Sequence, residues 1–150
     1  MIDDDFTSVS RRCLILGVLF VALGVLFYIF LRPESPAMIA SLQTALPVFW
    51  VDRNSVVYHS FPTFSHLLGF SFLSVAFLSR TASKILMVAI FWLFINIGYE
   101  VSCLSPDVVA IYASMPSAGY VCTFDMSDLW ASVFAALAFV LIMFYPYKLH

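Results

Sequence analysis

Residues 13–31 read CLILGVLFVALGVLFYIFL, and this uncharged stretch decides the fold class. It lies between Arg11-Arg12 and Arg32-Pro33. Because a hydrocarbon core of about 30 Å needs about 20 apolar helical residues, the stretch is long enough for one membrane span. It is also longer than the apolar core of a signal peptide, which has about 7–15 residues. We therefore interpret it as an uncleaved anchor.

Three further apolar stretches give the same prediction. Phe61–Ser79 contains one ionisable residue, His66, and Ile85–Leu104 contains only Glu100. Leu129–Tyr145 contains none. Continuous apolar runs of this length lack the polar face of a helix in a soluble protein. The sequence predicts an all-α, polytopic integral membrane protein with one membrane domain over 1–150, spans at about 13–31, 61–79, 85–104 and 129–145, and outer loops at 32–60 and 105–127.

The composition supports this class and excludes several others. The chain is 63% hydrophobic and only 11% charged, whereas soluble domains have about a quarter of their residues charged. A soluble enzyme and a disordered chain are therefore excluded. Seven Lys and Arg residues in total give no basic patch, so a nucleic-acid partner is excluded as well.

The orientation follows from the distribution of basic residues. If the N-terminus is cytoplasmic, the inner segments contain five Lys and Arg residues and the outer loops contain two. Basic residues are enriched in cytoplasmic segments. The sequence thus predicts cytoplasmic N- and C-termini, with inner residues Arg11, Arg12, Arg80, Lys84 and Lys148 and outer residues Arg32 and Arg53.

This topology brings the few polar residues of the spans to one level. His66 lies near the outer end of the second span, and Asp125 and Asp128 lie at the outer start of the fourth. Glu100 follows Lys84 by about 24 Å of helix, at ~1.5 Å per residue. An acid inside a membrane usually faces a partner or a cavity. We predict a polar pocket at the outer face.

Simpler roles remain open for each residue. Asp125 could be a helix cap, and Asp128 could sit in a first turn where the helix dipole favours an acid. His66 could form a hydrogen bond at a helix start, and Glu100 could bond to Asn96 or His66. Because the three carboxylates repel one another, we expect at least one to be protonated or bonded to His66.

The three cysteines fall on two sides of the predicted membrane. Cys13 lies on the cytoplasmic side and should be free, whereas Cys103 and Cys122 flank the second outer loop. We predict a disulfide between the latter two, given an oxidising compartment. The spacing does not favour a zinc site made of Cys103, Cys122 and His66. One histidine within the spans does not provide a bis-His haem site. No cofactor or metal is expected.

Three short motifs resemble those of the VanZ-like membrane family. TFDMSDLWAS at Thr123–Ser132 resembles the segment T-F-D-x-x-D-[LI]-x-A-N that opens the last helix of that family. Glu100 with Cys103 resembles its E-x-x-Q motif, and His66 sits where the family usually has a histidine. The resemblance covers about residues 60–145.

The chain departs from the family pattern at several positions. Cys103 replaces the usual Gln, Ser132 replaces the usual Asn, and the loop between Glu100 and Asp125 lacks the family's Arg. Some members are associated with resistance to the glycopeptide antibiotic teicoplanin. The resemblance therefore implies a multi-pass protein of the cytoplasmic (inner) membrane with a role in the cell envelope.

Two functions follow from these residues. In the first, the pocket binds or modifies a membrane lipid or a lipid-linked envelope precursor. Glu100 would accept a proton or anchor the ligand, His66 and Asp128 would tune or shuttle the proton, and Asp125, Asn96 and Ser132 would support them. In the second, the chain is a non-catalytic accessory subunit whose small residues dock other membrane proteins. The sequence leaves catalysis undecided.

Overall fold

A computed structural model describes residues 3–31, 55–78, 81–114 and 124–145. These residues form helices and contain no strand. The chain is therefore all-α over the described ranges, as the sequence predicts. The helices are α1 (Asp3–Leu31), α2 (Val56–Ala76), α3 (Ala82–Ser102), α4 (Pro106–Ser114) and α5 (Met126–Phe144).

Three of these helices are long and apolar enough to cross a membrane. They are Ser10–Leu31 within α1, Ala82–Ser102 and Met126–Phe144. The first, third and fourth predicted spans correspond to these helices. At 21 residues, α2 has sufficient length at ~1.5 Å per residue, but its histidines, serines and threonine make it more polar than the other three. These three helices indicate a helical membrane protein.

The helices extend beyond the predicted spans and into the predicted loops. α1 begins at Asp3, before the span predicted from Cys13. α2 runs from Val56 to Ala76, whereas the second span was predicted as Phe61–Ser79, so the end of loop 32–60 is helical. α4 occupies part of loop 105–127.

Local capping explains where the helices start. The Ser55 side chain accepts a hydrogen bond from the Tyr58 N–H at 3.2 Å, and Thr81 Oγ1 accepts one from the Lys84 N–H at 3.4 Å. Both contacts satisfy backbone donors that a helix start would otherwise leave unpaired. At α4, Pro106 takes the first helical position, where its missing N–H costs nothing.

α2 lies at the centre of the bundle and packs against α1, α3 and α5. α1 runs antiparallel to α2, because Phe27 contacts Tyr58 near one end and Ser10 donates a hydrogen bond to the Ala76 carbonyl at the other. Gly69 makes the close approach possible. A Cβ there would lie 2.9 Å from the Val21 backbone nitrogen.

The core lies between α2 and its neighbours. The outer surfaces of the bundle are apolar as well. Phe72 of α2 meets Phe139 of α5 edge to face, with ring centroids 5.1 Å apart, and stacks on Phe20 of α1 at 6.1 Å. Large apolar side chains such as Phe94 and Leu141 are exposed. An exposed apolar surface of this kind marks a membrane or partner surface rather than a water-facing one.

Candidate functional site

Five polar residues from three helices lie together at one end of the bundle. This end contains the start of α2, the end of α3 and the start of α5. We call the group the polar layer; its members are His59, Thr63, Glu100, Asp125 and Asp128. The structure therefore brings Glu100, Asp125 and Asp128 to the same end, and it adds two residues of α2.

Glu100 joins α3 to the start of α5. Glu100 is only 5% exposed, and its Oε2 accepts a hydrogen bond from the Asp125 N–H at 3.1 Å. This N–H would otherwise be unpaired just before a helix begins. The carboxylate at the end of α3 thus positions the start of α5. This structural role is compatible with a binding role.

Asp125 caps α5 and also contacts a histidine. Its Oδ1 accepts hydrogen bonds from the Ser127 N–H at 2.8 Å and from the Ser127 hydroxyl at 2.7 Å. Its Oδ2 lies 3.4 Å from His59 Nδ1, and the two side chains are 32% and 40% exposed, respectively. Asp125 therefore has the capping role considered from the sequence. It also forms, with His59, a partly exposed carboxylate–imidazole pair.

Asp128 connects the first turn of α5 to α2. Its Oδ1 accepts a hydrogen bond from the Thr63 hydroxyl at 2.8 Å. The acid also sits where the helix dipole favours a negative charge. This contact links α2 to α5 at the polar layer.

The ionisable members of the polar layer are three acids and one histidine. Among the described basic residues, Arg11, Arg12 and Lys84 lie toward the starts of α1 and α3, at the opposite end of the bundle. Such a layer can accept hydrogen bonds and hold a proton.

His66 has a different environment from the predicted one. Its ring stacks on Tyr28 of α1 with centroids 6.0 Å apart, and it contacts Phe70 of its own helix at 6.2 Å. A Cβ at Gly24 would lie 2.8 Å from His66 Nε2, so this ring occupies the space that the glycine leaves. The histidine beside the carboxylates is His59.

The supporting residues predicted from the sequence bond within their own helices. Asn96 Nδ2 donates to the Trp92 carbonyl at 2.9 Å, and Ser132 Oγ donates to the Asp128 carbonyl at 2.9 Å. Ser132 is fully buried and lies one helical turn after Asp128. Asn96 bonds to its own helix, and its role in the layer stays a prediction.

The cysteines differ in their bonding. Cys13 is buried and forms no disulfide, and its sulfur lies 3.9 Å from that of Met143. Cys103, directly after α3, is disulfide-bonded. Its predicted partner, Cys122, lies outside the described residues, so the pairing itself stays a prediction. Across residues 3–31, 55–78, 81–114 and 124–145, no three His, Cys, Asp or Glu residues are grouped to hold a metal ion.

His59 was missed because the second span was predicted to begin at Phe61, where its apolar run starts, which left His59 in a loop. Thr63 was missed because a single threonine inside that span carries no pattern that marks a site. Ser55 was the available signal, because serine is a preferred helix cap. A helix from Val56 onward places His59 and Thr63 four residues apart on one face.

An apolar groove lies beside the polar layer, between the first turns of α2 and α5. Its volume is about 540 Å³, within the range of roughly 300–1,000 Å³ found for small-molecule sites. Four aromatic and three aliphatic side chains form its walls, together with two serines. The lining residues are Val56, Val57, Ser60, Phe61, Phe64, Ser127, Trp130, Ala131 and Phe134.

Comparisons with family models, with curated proteins and with solved structures found no match to this chain.

Proposed function

We propose that α2 is a fourth membrane span and that both termini are cytoplasmic. The excess of basic residues on the proposed inner side supports this orientation. The polar groups of α2 also support it, since Thr63 bonds to α5, His66 packs against α1, and Ser74 accepts a hydrogen bond from Trp92 of α3. Polar side chains inside a membrane usually face the bundle interior. In this topology the polar layer faces the extracytoplasmic side.

We propose that the chain is a VanZ-like protein of the cytoplasmic membrane whose polar layer binds the headgroup of an envelope lipid or a lipid-linked envelope component. The observation that carries this proposal is the buried carboxylate of Glu100, held against α5 beside the reachable His59–Asp125 pair. Acids within a membrane are costly and mark functional sites by default. Binding is the function that this geometry supports best.

The accessory-subunit alternative has less support from the packing. It relied on small residues of the second and fourth spans as docking faces for other proteins. Ala135 and Ala136 of α5 are buried within the chain's own bundle, and Gly69 of α2 meets α1. These small residues therefore serve contacts inside the chain.

Native mass spectrometry of the protein extracted in mild detergent tests the proposal. We expect wild type to retain a lipid adduct. Asp128→Asn should retain roughly tenfold less lipid, because the carboxylate that would bond to the lipid headgroup is lost. Ser102→Ala is the matched control, since the Ser102 hydroxyl bonds to the Tyr99 carbonyl on the exposed surface. Equal adducts in all three proteins would contradict the proposal. A co-purifying protein without lipid would favour the accessory role.

A further inference from the structure

We propose that the end of the bundle opposite the polar layer binds the phosphate of an anionic phospholipid. The site is an exposed crevice between the starts of α1 and α3, which both pack against α2. We call it the basic crevice; its members are Arg11 of α1, Phe77 directly after α2 and Lys84 of α3. This inference goes beyond the function proposed for the polar layer and does not depend on it. It concerns one end of the bundle, whichever side of the membrane that end faces.

Contacts between helix ends place this crevice at the edge of the membrane. The Ser10 hydroxyl donates to the carbonyl of Ala76, the last residue of α2. The Cys13 sulfur lies 3.9 Å from that of Met143, one residue before the end of α5. α2 and α5 thus end where the apolar stretch Ser10–Leu31 of α1 begins. Because an apolar stretch begins at the boundary of the hydrocarbon core, this is the level at which lipid headgroups lie.

Two contacts of α1 fix the direction of Arg11. Ser10 faces α2, and Cys13 faces α5 through Met143. Successive residues of a helix are turned by about 100°, so Arg11 lies beside α2 on the flank away from α5. Arg12 is turned by a further ~100° and lies on the side of α1 that faces away from α2. Both arginines are exposed, but only Arg11 borders the crevice.

Phe77 forms the floor of the crevice. Phe70 lies two helical turns before it and stacks on Trp92 of α3, with ring centroids 4.9 Å apart. The residue before Phe70 is Gly69, which contacts α1. Residues seven apart share one face of a helix, so Phe77, like Phe70, faces the gap between α1 and α3. It is 79% exposed, which leaves an apolar ring open at the headgroup level.

Lys84 borders the crevice from the other side. Trp92 of α3 faces α2, and Glu100, eight residues later, faces the start of α5. Lys84 lies eight residues before Trp92. Since eight residues exceed two helical turns by about 80°, Lys84 and Glu100 are turned to opposite sides of Trp92. Lys84 therefore points away from α5, toward the flank that Arg11 borders.

The two cations and the ring suit one class of ligand. A guanidinium binds a phosphate through two parallel hydrogen bonds, and an ammonium adds a compact point charge. The exposed Phe77 ring offers an apolar surface to the glycerol end of the acyl chains. Phosphatidylcholine carries its own cation, whereas phosphatidylglycerol keeps a net negative charge that complements Arg11 and Lys84. The basic crevice therefore favours an anionic phospholipid over a zwitterionic one.

Fluorescence quenching in vesicles tests the proposal. Phe77→Trp places a reporter in the crevice, and its signal is the difference from wild type, which has three tryptophans of its own. The protein is reconstituted in phosphatidylcholine vesicles that contain either phosphatidylglycerol or phosphatidylcholine brominated near the carbonyl end of the chains. Bromine quenches tryptophan fluorescence on contact. We expect half-quenching at a roughly tenfold lower fraction of the brominated phosphatidylglycerol, the size expected for a hydrogen bond to a charged group.

Arg12→Gln is the matched control for Arg11→Gln, because it removes the same charge from the next residue of the same helix. In the Phe77→Trp background, we expect Arg11→Gln to abolish the preference for phosphatidylglycerol and Arg12→Gln to keep it. Lys84→Gln should reduce the preference from the opposite wall. Excess inorganic phosphate at constant ionic strength should leave the quenching unchanged, since the site holds a lipid rather than a free phosphate.

Several results would overturn the proposal. Equal quenching by the two lipids would show that no anionic lipid is selected, and quenching by neither would show that a protein surface covers the crevice. Equal losses in the two arginine variants would show a diffuse attraction of this end of the bundle rather than a site at Arg11. Loss of the preference on adding inorganic phosphate would make free phosphate the ligand. None of these results bears on the lipid adduct that depends on Asp128 at the opposite end.

Discussion

Gly69→Ala is expected to lower the free energy of unfolding by about 1–3 kcal/mol, the usual cost of forcing an extra carbon into a packed interior. The new Cβ would lie 2.6 Å from Val21 Cγ2, 2.9 Å from the Val21 nitrogen and 3.1 Å from the Gly17 carbonyl oxygen. Two of these atoms belong to the backbone of α1, so a side-chain rotation cannot relieve the contact. α1 must move away from α2.

Gly98→Ala is the matched control for this change. A Cβ at Gly98 would meet nothing within 4 Å, and alanine is favoured over glycine in a helix interior by roughly 0.5–1 kcal/mol. We therefore expect an unchanged or raised Tm for this variant in detergent, against a clearly lowered Tm for Gly69→Ala. Equal Tm values for the two variants would show that α1 and α2 are not in close contact.

Glu100→Ala is expected to destabilise the protein by about 1–3 kcal/mol, because it leaves the partly buried Asp125 N–H without its acceptor. Glu100→Gln should cost clearly less, since the amide oxygen can accept the same hydrogen bond. The measurement is thermal unfolding of both variants beside wild type in the same detergent. Its readout is the difference between the two variants, which isolates the acceptor from the charge.

The contradicting result concerns the same pair. If Glu100→Gln destabilises the protein as much as Glu100→Ala, the stabilisation comes from the negative charge. The hydrogen bond from the Asp125 N–H would then not be its source. If neither variant changes the Tm, Glu100 does not join α3 to α5. Lipid adducts of Glu100→Gln are a separate measurement, because a variant that folds normally can still lose the ligand.

The three long apolar helices were predictable, because continuous hydrophobicity is a strong signal over about 20 residues. The level of Glu100 was predictable too, since the helical rise from Lys84 places it near the end of α3 where the structure has it. α4 was missed because nine residues beginning with Pro106 carry no long apolar run. Short helices of this kind depend on local capping and dipole effects of small magnitude.

The contacts of the histidines were not predictable from spacing. His59 and His66 lie on nearly the same face of α2, yet one meets Asp125 and the other meets α1. What separates them is the missing side chain of Gly24, which opens space for the His66 ring. Close approaches between helices depend on pairs of residues far apart in the sequence, and a single chain does not reveal which pairs meet.

The proposed position of the polar layer at the extracytoplasmic face is tested most directly by cysteine labelling in intact cells. His59→Cys in a Cys13→Ser background reports the layer, and Ser83→Cys reports the exposed start of α3 at the opposite end. We expect a membrane-impermeant maleimide to label position 59 in intact cells and position 83 only after permeabilisation. The reverse pattern would place the acids on the cytoplasmic side and contradict the proposed envelope function.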